Sequence, residues 1–235
     1  MRIWVSRPEP GAARTAARLT RLGHAPLVAP VLESRPTGAR LPDGTFAGLL
    51  LTSAAALDTL GADAAARLAG IPVFAVGART AEAAVRAGLG PVTAGPGDAA
   101  ALARLIAGAL PAGTRLLHLA GADRKPEPAA TLAHAGYDLC VRVVYAAEPV
   151  AALPEPVAAA LGGLAPALHA ALHYSRRSAA TALALARDAG RAEPFGAIRH
   201  YCLSEDVAVP LATAGIPIHF VPERPGEDDL LAGLD

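Results

Sequence analysis

Short apolar runs alternate along the chain with longer stretches in which apolar residues recur at helical spacing. The first apolar run spans 3–6, a turn rich in Pro and Gly follows at 7–11, and residues 12–22 carry apolar side chains every three or four positions. Continuous apolar runs of about four residues indicate buried strands, whereas apolar residues that recur every three or four positions indicate helices. The order of strand, polar turn, helix and glycine recurs to the end of the chain, which predicts an α/β protein.

The same patterns predict elements over the rest of the chain. The predicted strands are 3–6, 25–32, 46–51, 73–76, 91–93, 115–119, 138–145, 170–174, 197–203 and 217–221. The predicted helices include 12–22, 54–60, 99–110 and 156–164, four that end near Gly88, Gly136, Gly190 and Gly215, and a last one that begins at 225–228. Glycine is the usual residue just past a helix end. The polar stretch 33–45 and the Pro-rich stretch 148–156 are predicted crossings between domains.

Two internal repeats organise these elements. RIWVSRPEPGAARTAARLTRLG at 2–23 returns in altered form as RLLHLAGADRKPEPAATLAHAG at 115–136, and VGARTAEAAVRAG at 76–88 matches LSEDVAVPLATAG at 203–215. A repeat constrains the architecture of the whole chain. Here it predicts two related α/β units, in which the N-terminal segment 2–23 completes the unit formed by the C-terminal part.

The order of the repeated segments predicts one discontinuous domain and one inserted domain. The outer domain is expected to comprise 1–36 and 155–235, the inserted domain 44–147, and the two linkers 37–43 and 148–154. Five strands alternating with helices are expected in each. That pattern favours two flavodoxin-like, three-layer domains with parallel sheets and right-handed crossovers, joined by a two-stranded linker.

Composition and charge narrow the possible partners. The 235 residues are 53% hydrophobic and 18% charged, and 21 basic side chains balance 21 acidic ones. Neither nucleic acid nor an anionic membrane is expected as a partner of such a chain. An apolar run of membrane-spanning length and a signal-peptide pattern are both absent from the sequence, so the cytoplasm is the expected location. A monomer is the default expectation.

Candidate ligand contacts lie in the loops that follow the predicted strands. Ligands of open parallel sheets bind beyond the carboxyl ends of the strands. Six loops lie there, at Arg7, Ser53, Gly77, Gly121, Ser175 and Ser204. Most of them begin helices, whose unpaired N–H groups suit anions. With the linkers as a hinge, both sets of loops are expected to face one cleft that accepts an acidic ligand.

Each candidate also has a purely structural interpretation. The three serines are ordinary helix N-caps in many α/β proteins. Four arginines are equally compatible with solvated turn charges: Arg7, Arg124, Arg176 and Arg177. His118 and His173, each near the end of a strand, are typical of core histidines. The sequence contains no HExxH, CxxC, GxSxG, Walker or GxGxxG motif, so neither a metal site nor a cofactor is expected.

Six segments in a fixed order carry a resemblance to a known family. They are VSRPEPGAARTAARLTRLG near the start, GLLLTSAAAL at 48–57, FAVGARTAEAAVRAG at 74–88, RLLHLAGADRKPEPAATLAHAG with VRVVY at 141–145, YSRRSAA at 174–180, and CLSEDVAVPLATAG at 202–215. Taken together, they resemble the uroporphyrinogen-III synthase family over essentially the whole chain. The order and spacing of the segments, rather than any single motif, carry the resemblance.

The resemblance implies both a fold and a reaction. The family has two α/β domains, one of them discontinuous, joined by a two-stranded linker. Its members convert hydroxymethylbilane, a linear tetrapyrrole with eight carboxylates, into uroporphyrinogen III with loss of water. The last pyrrole ring is inverted during closure through a spiro intermediate. The reaction belongs to haem and related tetrapyrrole biosynthesis and needs no metal or cofactor.

The resemblance also implies residue roles. Tyr145 matches the family tyrosine at the end of the VY strand and is the candidate proton donor to the departing hydroxyl, although a residue that only packs the linker would fit the same position. Thr80 matches the threonine of the VGxxTA loop, whereas Val207 stands at the corresponding position of the second copy, where many members have Thr. The expected substrate contacts are Arg7, Thr52, Ser53, Gly77, Thr80, Gly121, Arg124, Ser175, Ser178 and Ser204.

A second class of function fits the same architecture. A two-lobed protein that binds an acidic small molecule without catalysis would also present helix N-termini and arginines at its strand ends. The synthase is the leading hypothesis, and the binding protein is the alternative. Catalytic turnover is the property that separates them.

Overall fold

The computed structural model describes residues 1–9, 11–124 and 126–234. The chain divides into two compact units: Met1–Glu33 together with Glu148–Asp235, and Ser34–Ala147. We call them the outer unit and the inner unit. The predicted turn at 7–11 includes Pro10, which lies outside the described residues.

The strands and helices alternate along most of the chain. The strands are β1 (Arg2–Val5), β2 (Ala25–Val28), β3 (Leu32–Pro36), β4 (Gly48–Leu51), β5 (Val73–Ala75), β6 (Val92–Ala94), β7 (Arg115–Gly121), β8 (Asp138–Pro149), β9 (Ala170–His173) and β10 (Arg199–Cys202). The helices are α1 (Gly11–Arg21), α2 (Ala62–Leu68), α3 (Ala78–Arg86), α4 (Ala99–Ala109), α5 (Ala129–His134), α6 (Glu155–Leu161), α7 (Arg176–Asp188), α8 (Ala192–Ala197), α9 (Glu205–Thr213) and α10 (Glu227–Ala232). A 3-10 turn covers Ala54–Ala56.

The sheet of the outer unit has the strand order β10-β9-β1-β2, and each neighbouring pair is parallel. The N-terminal strand β1 therefore lies inside this sheet, with β9 on one side and β2 on the other. Ile3, Trp4 and Val5 are completely buried. Burial on both faces is typical of a parallel strand covered by helices on each side.

The sheet of the inner unit has the order β3-β8-β7-β4-β5-β6. The pairs β8–β7, β7–β4, β4–β5 and β5–β6 are parallel. Leu49 and Leu51 belong to the core on one face of β4, whereas Leu50 packs with Leu102 and Ile106 of α4 on the other. The parallel-sheet α/β class predicted from the sequence is confirmed.

Two details of the predicted sheets are wrong. The stretch 217–221 forms only an isolated bridge between Phe220 and Tyr201, because Pro217 and Pro222 remove backbone donors at its ends. The polar stretch 33–45 is not wholly a linker, since its beginning forms β3 beside β8. The Thr37 N–H donates to Val144 O at 3.0 Å, and the Thr37 hydroxyl donates to Val143 O at 2.8 Å. The sheets therefore have four and six strands among the described residues, not five each.

The helix predicted at 54–60 is also wrong. Ser53 caps only the turn Ala54–Ala56, and the Thr59 hydroxyl donates to Ala56 O at 2.8 Å. Such side-chain bonds compete with helical ones. The helix of this region is instead α2, which begins after Gly61. Among the described residues, no helix is long and apolar enough to cross a membrane.

Candidate functional site

Three candidate residues of the inner unit lie where strands end or loops begin at one edge of the sheet, and a fourth, Tyr145, lies beside them within β8. Thr52 directly follows β4, Gly77 is the second residue after β5, and Gly121 is the last residue of β7. Tyr145 of β8 lies opposite Gly121 in the parallel register. Since the carboxyl ends of parallel strands share one edge, these loops belong to the ligand-binding edge of this fold.

Tyr145 packs directly against the backbone of Gly121. A Cβ atom at Gly121 would lie 2.6 Å from Cζ and 2.8 Å from the hydroxyl oxygen of Tyr145. The ladder is irregular between Ala120 and Gly121, and the Ala122 N–H donates to Tyr145 O at 2.9 Å. Only a residue without a side chain leaves room for the ring here. Gly121 thus leaves room for the phenol ring, and among the described residues the Tyr145 hydroxyl has no hydrogen-bond partner.

His118 supports Thr52 from within the sheet. Its side chain is buried, and Nε2 lies 3.2 Å from the Thr52 hydroxyl oxygen. Burial, and secondarily the positive charge of Arg124, lowers the pKa of His118 to about 4. The imidazole is therefore neutral at physiological pH and suits a supporting role. Arg124 itself is exposed, and its Nη1 donates to Gly121 O at 3.5 Å.

The helix starts of the inner unit differ in how their backbone N–H groups are used. The Ser53 hydroxyl accepts from the Ala55 N–H at 3.2 Å, so it serves as a cap. Gly77 precedes α3 and supplies no side-chain cap. The first N–H groups of a helix lack intrahelical acceptors, which leaves those of α3 available to an anion. Thr80, in the first turn of α3, is 6% exposed.

Arg7 of the outer unit lies in a polar cluster rather than in open solvent. Its Nη1 donates to Glu227 Oε1 at 3.2 Å and to the Thr15 hydroxyl at 3.4 Å. The guanidinium carbon lies 4.1 Å from the centroid of the Tyr174 ring, a distance at which the cation and the ring attract each other. A Cβ atom at Gly11 would lie 2.4 Å from the Arg7 guanidinium group, so the backbone of Gly11 also packs against this group.

Glu227 joins the members of this cluster. It accepts from the Tyr174 hydroxyl at 2.9 Å, from Arg18 Nη1 at 3.1 Å and from the Thr15 hydroxyl. Burial opposes ionisation of Glu227, but hydrogen bonds from Thr15 and Tyr174 and the charges of Arg7 and Arg18 outweigh it and lower the pKa. Burial raises the pKa of Tyr174, which stays a neutral phenol. The ionised carboxylate therefore holds Arg7 in place.

Sequence reasoning did not single out Glu227, Tyr174 or Thr15. Glu227 was predicted only as part of a helix start, and its partners Arg7 and Thr15 lie more than 200 residues away. The one local signal is Thr15, a polar residue in an Ala-rich helix at a position that is completely buried. A buried hydroxyl requires a hydrogen-bond partner, so a polar neighbour at that point was predictable although its identity was not.

The serine loops of the outer unit are largely occupied by capping. The Ser175 hydroxyl accepts from the Ser178 N–H at 3.1 Å, and the two hydroxyls are 2.8 Å apart. Ser178 is 1% exposed. Ser204 precedes α9, and its hydroxyl does not accept a hydrogen bond from the first N–H groups of that helix. Val207, in the first turn of α9, is buried in the core.

The structure thus brings the candidates together in small groups within each unit. Thr52, Gly121, Arg124 and Tyr145 cluster around the ends of β4 and β7 and the adjoining part of β8, and Ser175 pairs with Ser178. Arg7 is joined to Glu227 instead of to another candidate. Among the described residues, no group of three or more His, Cys, Asp or Glu side chains is placed to hold a metal ion.

The chain is a parallel-sheet α/β protein of two units, with hydroxyls, arginines and helix starts in the loops that suit anionic ligands in this class of fold. A family model described as uroporphyrinogen-III synthase HemD matches residues 13–232. The chain belongs to this family, so the resemblance found in the sequence is confirmed. No curated protein matches the chain in sequence.

Solved structures provide a comparison of the fold. Uroporphyrinogen-III synthetase from Helicobacter pylori aligns with a TM-score of 0.57 and 18% identity over 98% of this chain and 96% of that one. A mutant uroporphyrinogen III synthase from Thermus thermophilus aligns with a TM-score of 0.45 and 20% identity over 99% and 96%. The wild-type protein from the same organism gives 0.43 and 23% over 99% and 96%. The first comparison establishes a common fold.

Proposed function

We propose that the chain is a lyase that cyclises hydroxymethylbilane to uroporphyrinogen III with inversion of the last pyrrole ring and loss of water. The observation that carries this proposal is the family match, which extends over residues 13–232. The loops at the strand ends support it, because a substrate with eight carboxylates needs N–H donors and guanidinium groups. The specific enzyme class that we propose is a hydro-lyase.

Tyr145 is the proposed proton donor. The hydroxymethyl carbon loses its hydroxyl as water when a donor protonates the departing oxygen and the pyrrole nitrogen supplies electrons to the remaining cation. The substituted α-carbon of the last pyrrole ring bonds to this cation, which gives the spiro intermediate. The bond from that α-carbon to the neighbouring methylene bridge then breaks, and the bridge, now a cation, bonds to the free α-carbon of the same ring. The proton on that carbon leaves, so that the ring is inverted and the net loss is one water. The packing of Tyr145 against Gly121 supports this role, because it places beside the end of β7 a hydroxyl that has no hydrogen-bond partner among the described residues. Positioning of the reacting groups supplies much of the rate in such reactions.

The remaining candidates are proposed substrate contacts. Arg7 and Arg124 are the guanidinium groups, and Glu227 orients the first of them. The backbone N–H groups after Gly77 and Ser204 are suited to carboxylates because no side chain caps them. The further proposed contacts are Thr52, Ser53, Thr80, Gly121, Ser175 and Ser178. We propose the smallest role for Ser53, Ser175 and Ser178, whose hydroxyls already serve in capping.

Several wider expectations belong to the same proposal. We propose a discontinuous outer domain of 1–36 and 155–235 around an inserted domain of 44–147, with 37–43 and 148–154 as linkers. We further propose that the enzyme works in the cytoplasm as a monomer and without metal, cofactor or nucleic acid. Gel filtration and metal analysis of the active protein would test the monomer and the absence of a metal.

The test is the product formed from hydroxymethylbilane by the purified protein. Oxidation of the product to the porphyrin and separation of the isomers distinguishes type III from type I, which spontaneous closure produces. Type III is expected. The alternative, a binding protein without chemistry, predicts thermal stabilisation by acidic tetrapyrroles together with type I product alone, so the same preparation decides between the two.

A further inference from the structure

A cavity of about 710 Å³ lies in the inner unit. It is formed by the loop 38–43, by residues from Thr59 to Arg67 and by β8. All its lining residues belong to the inner unit, so its form depends on that unit alone. Among the described residues that line it, none is a candidate substrate contact of the proposed reaction. We call it the β8 cavity.

Basic side chains outnumber acidic ones around the β8 cavity. Arg40, Arg67 and Arg142 line it together with Asp43 and Asp63. Arg67 Nη2 donates to Pro42 O at 3.2 Å and lies 3.7 Å from Asp43 Oδ1, so this arginine is engaged. Among the described residues, neither Arg40 nor Arg142 forms an ion pair. The cavity therefore has an excess of one positive charge, and two of its guanidinium groups have no anionic partner.

Arg142 carries the clearest sign of a missing partner. It lies on β8 beside Leu119 of β7, on the face that packs against the apolar core. Its Nε is buried and has no hydrogen-bond acceptor among the described residues. A buried charged donor without a partner is unfavourable, and the planar Nε–Nη edge of arginine suits the two oxygens of a carboxylate. Nε itself is closed to solvent, so a ligand carboxylate in the cavity would pair with the Nη atoms and so supply the missing negative charge.

The rest of the lining restricts the kind of anion. Leu41, Leu60 and Val144 give the β8 cavity an apolar wall. Its volume is within the range of sites for small organic ligands, and much larger than a single inorganic ion needs. We infer that the β8 cavity binds an organic carboxylate with an apolar body, whose acid group pairs with Arg142 and Arg40 while the body packs against this wall. This site is separate from the proposed reaction site.

The test uses naphthalene-2,6-dicarboxylate as the probe and the full-length protein labelled with ¹⁵N. Binding is expected in the submillimolar range, with amide shifts concentrated at Gly38, Gly61 and Val144. The neutral analogue naphthalene-2,6-dicarboxamide should bind at least tenfold more weakly, because it cannot pair with a guanidinium group. Inorganic phosphate, which lacks an apolar body, should also bind at least tenfold more weakly.

Variants of Arg142 test whether this residue binds the dicarboxylate. Arg142→Met should weaken binding of the dicarboxylate at least tenfold, whereas Arg104→Met, at an exposed position of α4 in the same unit, should leave it unchanged. Arg142→Lys keeps the charge and loses the paired geometry, so an intermediate affinity is expected, and this variant serves if the methionine variant does not fold. Equal binding of dicarboxylate and dicarboxamide, shifts confined to Gly77 and Gly121, or unchanged affinity in both Arg142 variants would overturn the inference. None of these readouts depends on turnover of hydroxymethylbilane.

Discussion

At the scale of single residues, the contact between Gly121 and Tyr145 leaves no room for a side chain at position 121. The ring lies where any other residue at 121 would place its Cβ. The sequence identified both residues, the glycine from its loop and the tyrosine from the family resemblance, but it did not predict that they touch. Their register opposite each other depends on the irregular ladder of β7 and β8, which no local pattern specifies.

Tyr145→Phe should lower the rate of hydroxymethylbilane turnover about 100-fold, the usual size of general-acid assistance. The packing against Gly121 is retained, so the fold should not change. Tyr137→Phe is the matched control: Tyr137 donates to Leu110 O at 2.7 Å and is buried, so its loss should cost about 1 kcal/mol of stability without slowing turnover. Stopped-flow kinetics and urea denaturation measure the two effects, and an unaltered rate for Tyr145→Phe would remove this residue from the mechanism.

Gly121→Ala should destabilise the protein by about 1–3 kcal/mol, because the new methyl group overlaps the Tyr145 ring. Gly108→Ala provides the comparison within the same unit. A Cβ at Gly108, inside α4, would meet no atom within 4 Å, so this change should stabilise by up to about 1 kcal/mol. Urea denaturation, monitored by circular dichroism, measures the free energy of unfolding of both variants. Equal effects of the two substitutions would show that the Tyr145 ring does not pack against residue 121.

His200 connects stability to pH in the outer unit. His200 Nε2 donates to Phe195 O at 2.9 Å, so Nδ1 is the acceptor for His173 Nε2 at 3.1 Å. Burial lowers the pKa of His200 to about 4, against the opposing effect of the Phe195 carbonyl. The unfolded chain therefore binds a proton that the folded one rejects between pH 6.5 and about 4, and stability falls as the pH decreases through this window.

The expected loss from His200 is about 2 kcal/mol between about pH 7 and pH 5. In His200→Gln this part of the pH dependence should disappear, whereas His134→Gln, at an exposed position, should behave like the unmodified protein. Trp4 is the single tryptophan and packs 6.1 Å from Phe195 between ring centroids. Its fluorescence during urea denaturation therefore follows the unfolding of this core. An identical pH dependence of stability in all three proteins would refute the assignment of this effect to His200.

At the scale of elements, the periodic patterns predicted most strands and helices and failed where tertiary contacts decide. The beginning of the polar stretch 33–45 belongs to β3, because β8 extends to Pro149 and offers acceptors along its outer edge. The helix α8 was not predicted, because Pro194 and Gly196 are poor helix formers. It forms around Phe195, which is completely buried. A single apolar residue in a core is invisible to a periodic pattern.

The position of β1 leads to a prediction about this element. β1 hydrogen-bonds to β9 and β2, and its apolar side chains fill the core of the outer unit. A fragment of residues 155–235 should therefore not fold, because it lacks the strand that lies beside β9. Circular dichroism and proton NMR of the fragment would show this. A cooperative thermal transition of the isolated fragment would contradict the placement of β1.

At the scale of the whole molecule, a chain with no net charge is proposed to bind a substrate with eight carboxylates. In this proposal the positive potential comes from local arrangements instead. Arg7 is held by Glu227, Arg124 lies at the end of β7, and uncapped helices begin after Gly77 and Ser204. Composition alone could not predict such an arrangement, since it depends on which loops the parallel sheets bring to one edge.

The most direct measurement is the isomer composition of the product as the protein concentration increases. Spontaneous closure to type I competes with the enzyme for hydroxymethylbilane. The fraction of type III should rise from near zero in buffer towards completeness as protein is added, and heat-denatured protein should give only type I. A type III fraction that stays at the buffer value at every protein concentration would contradict the proposed function.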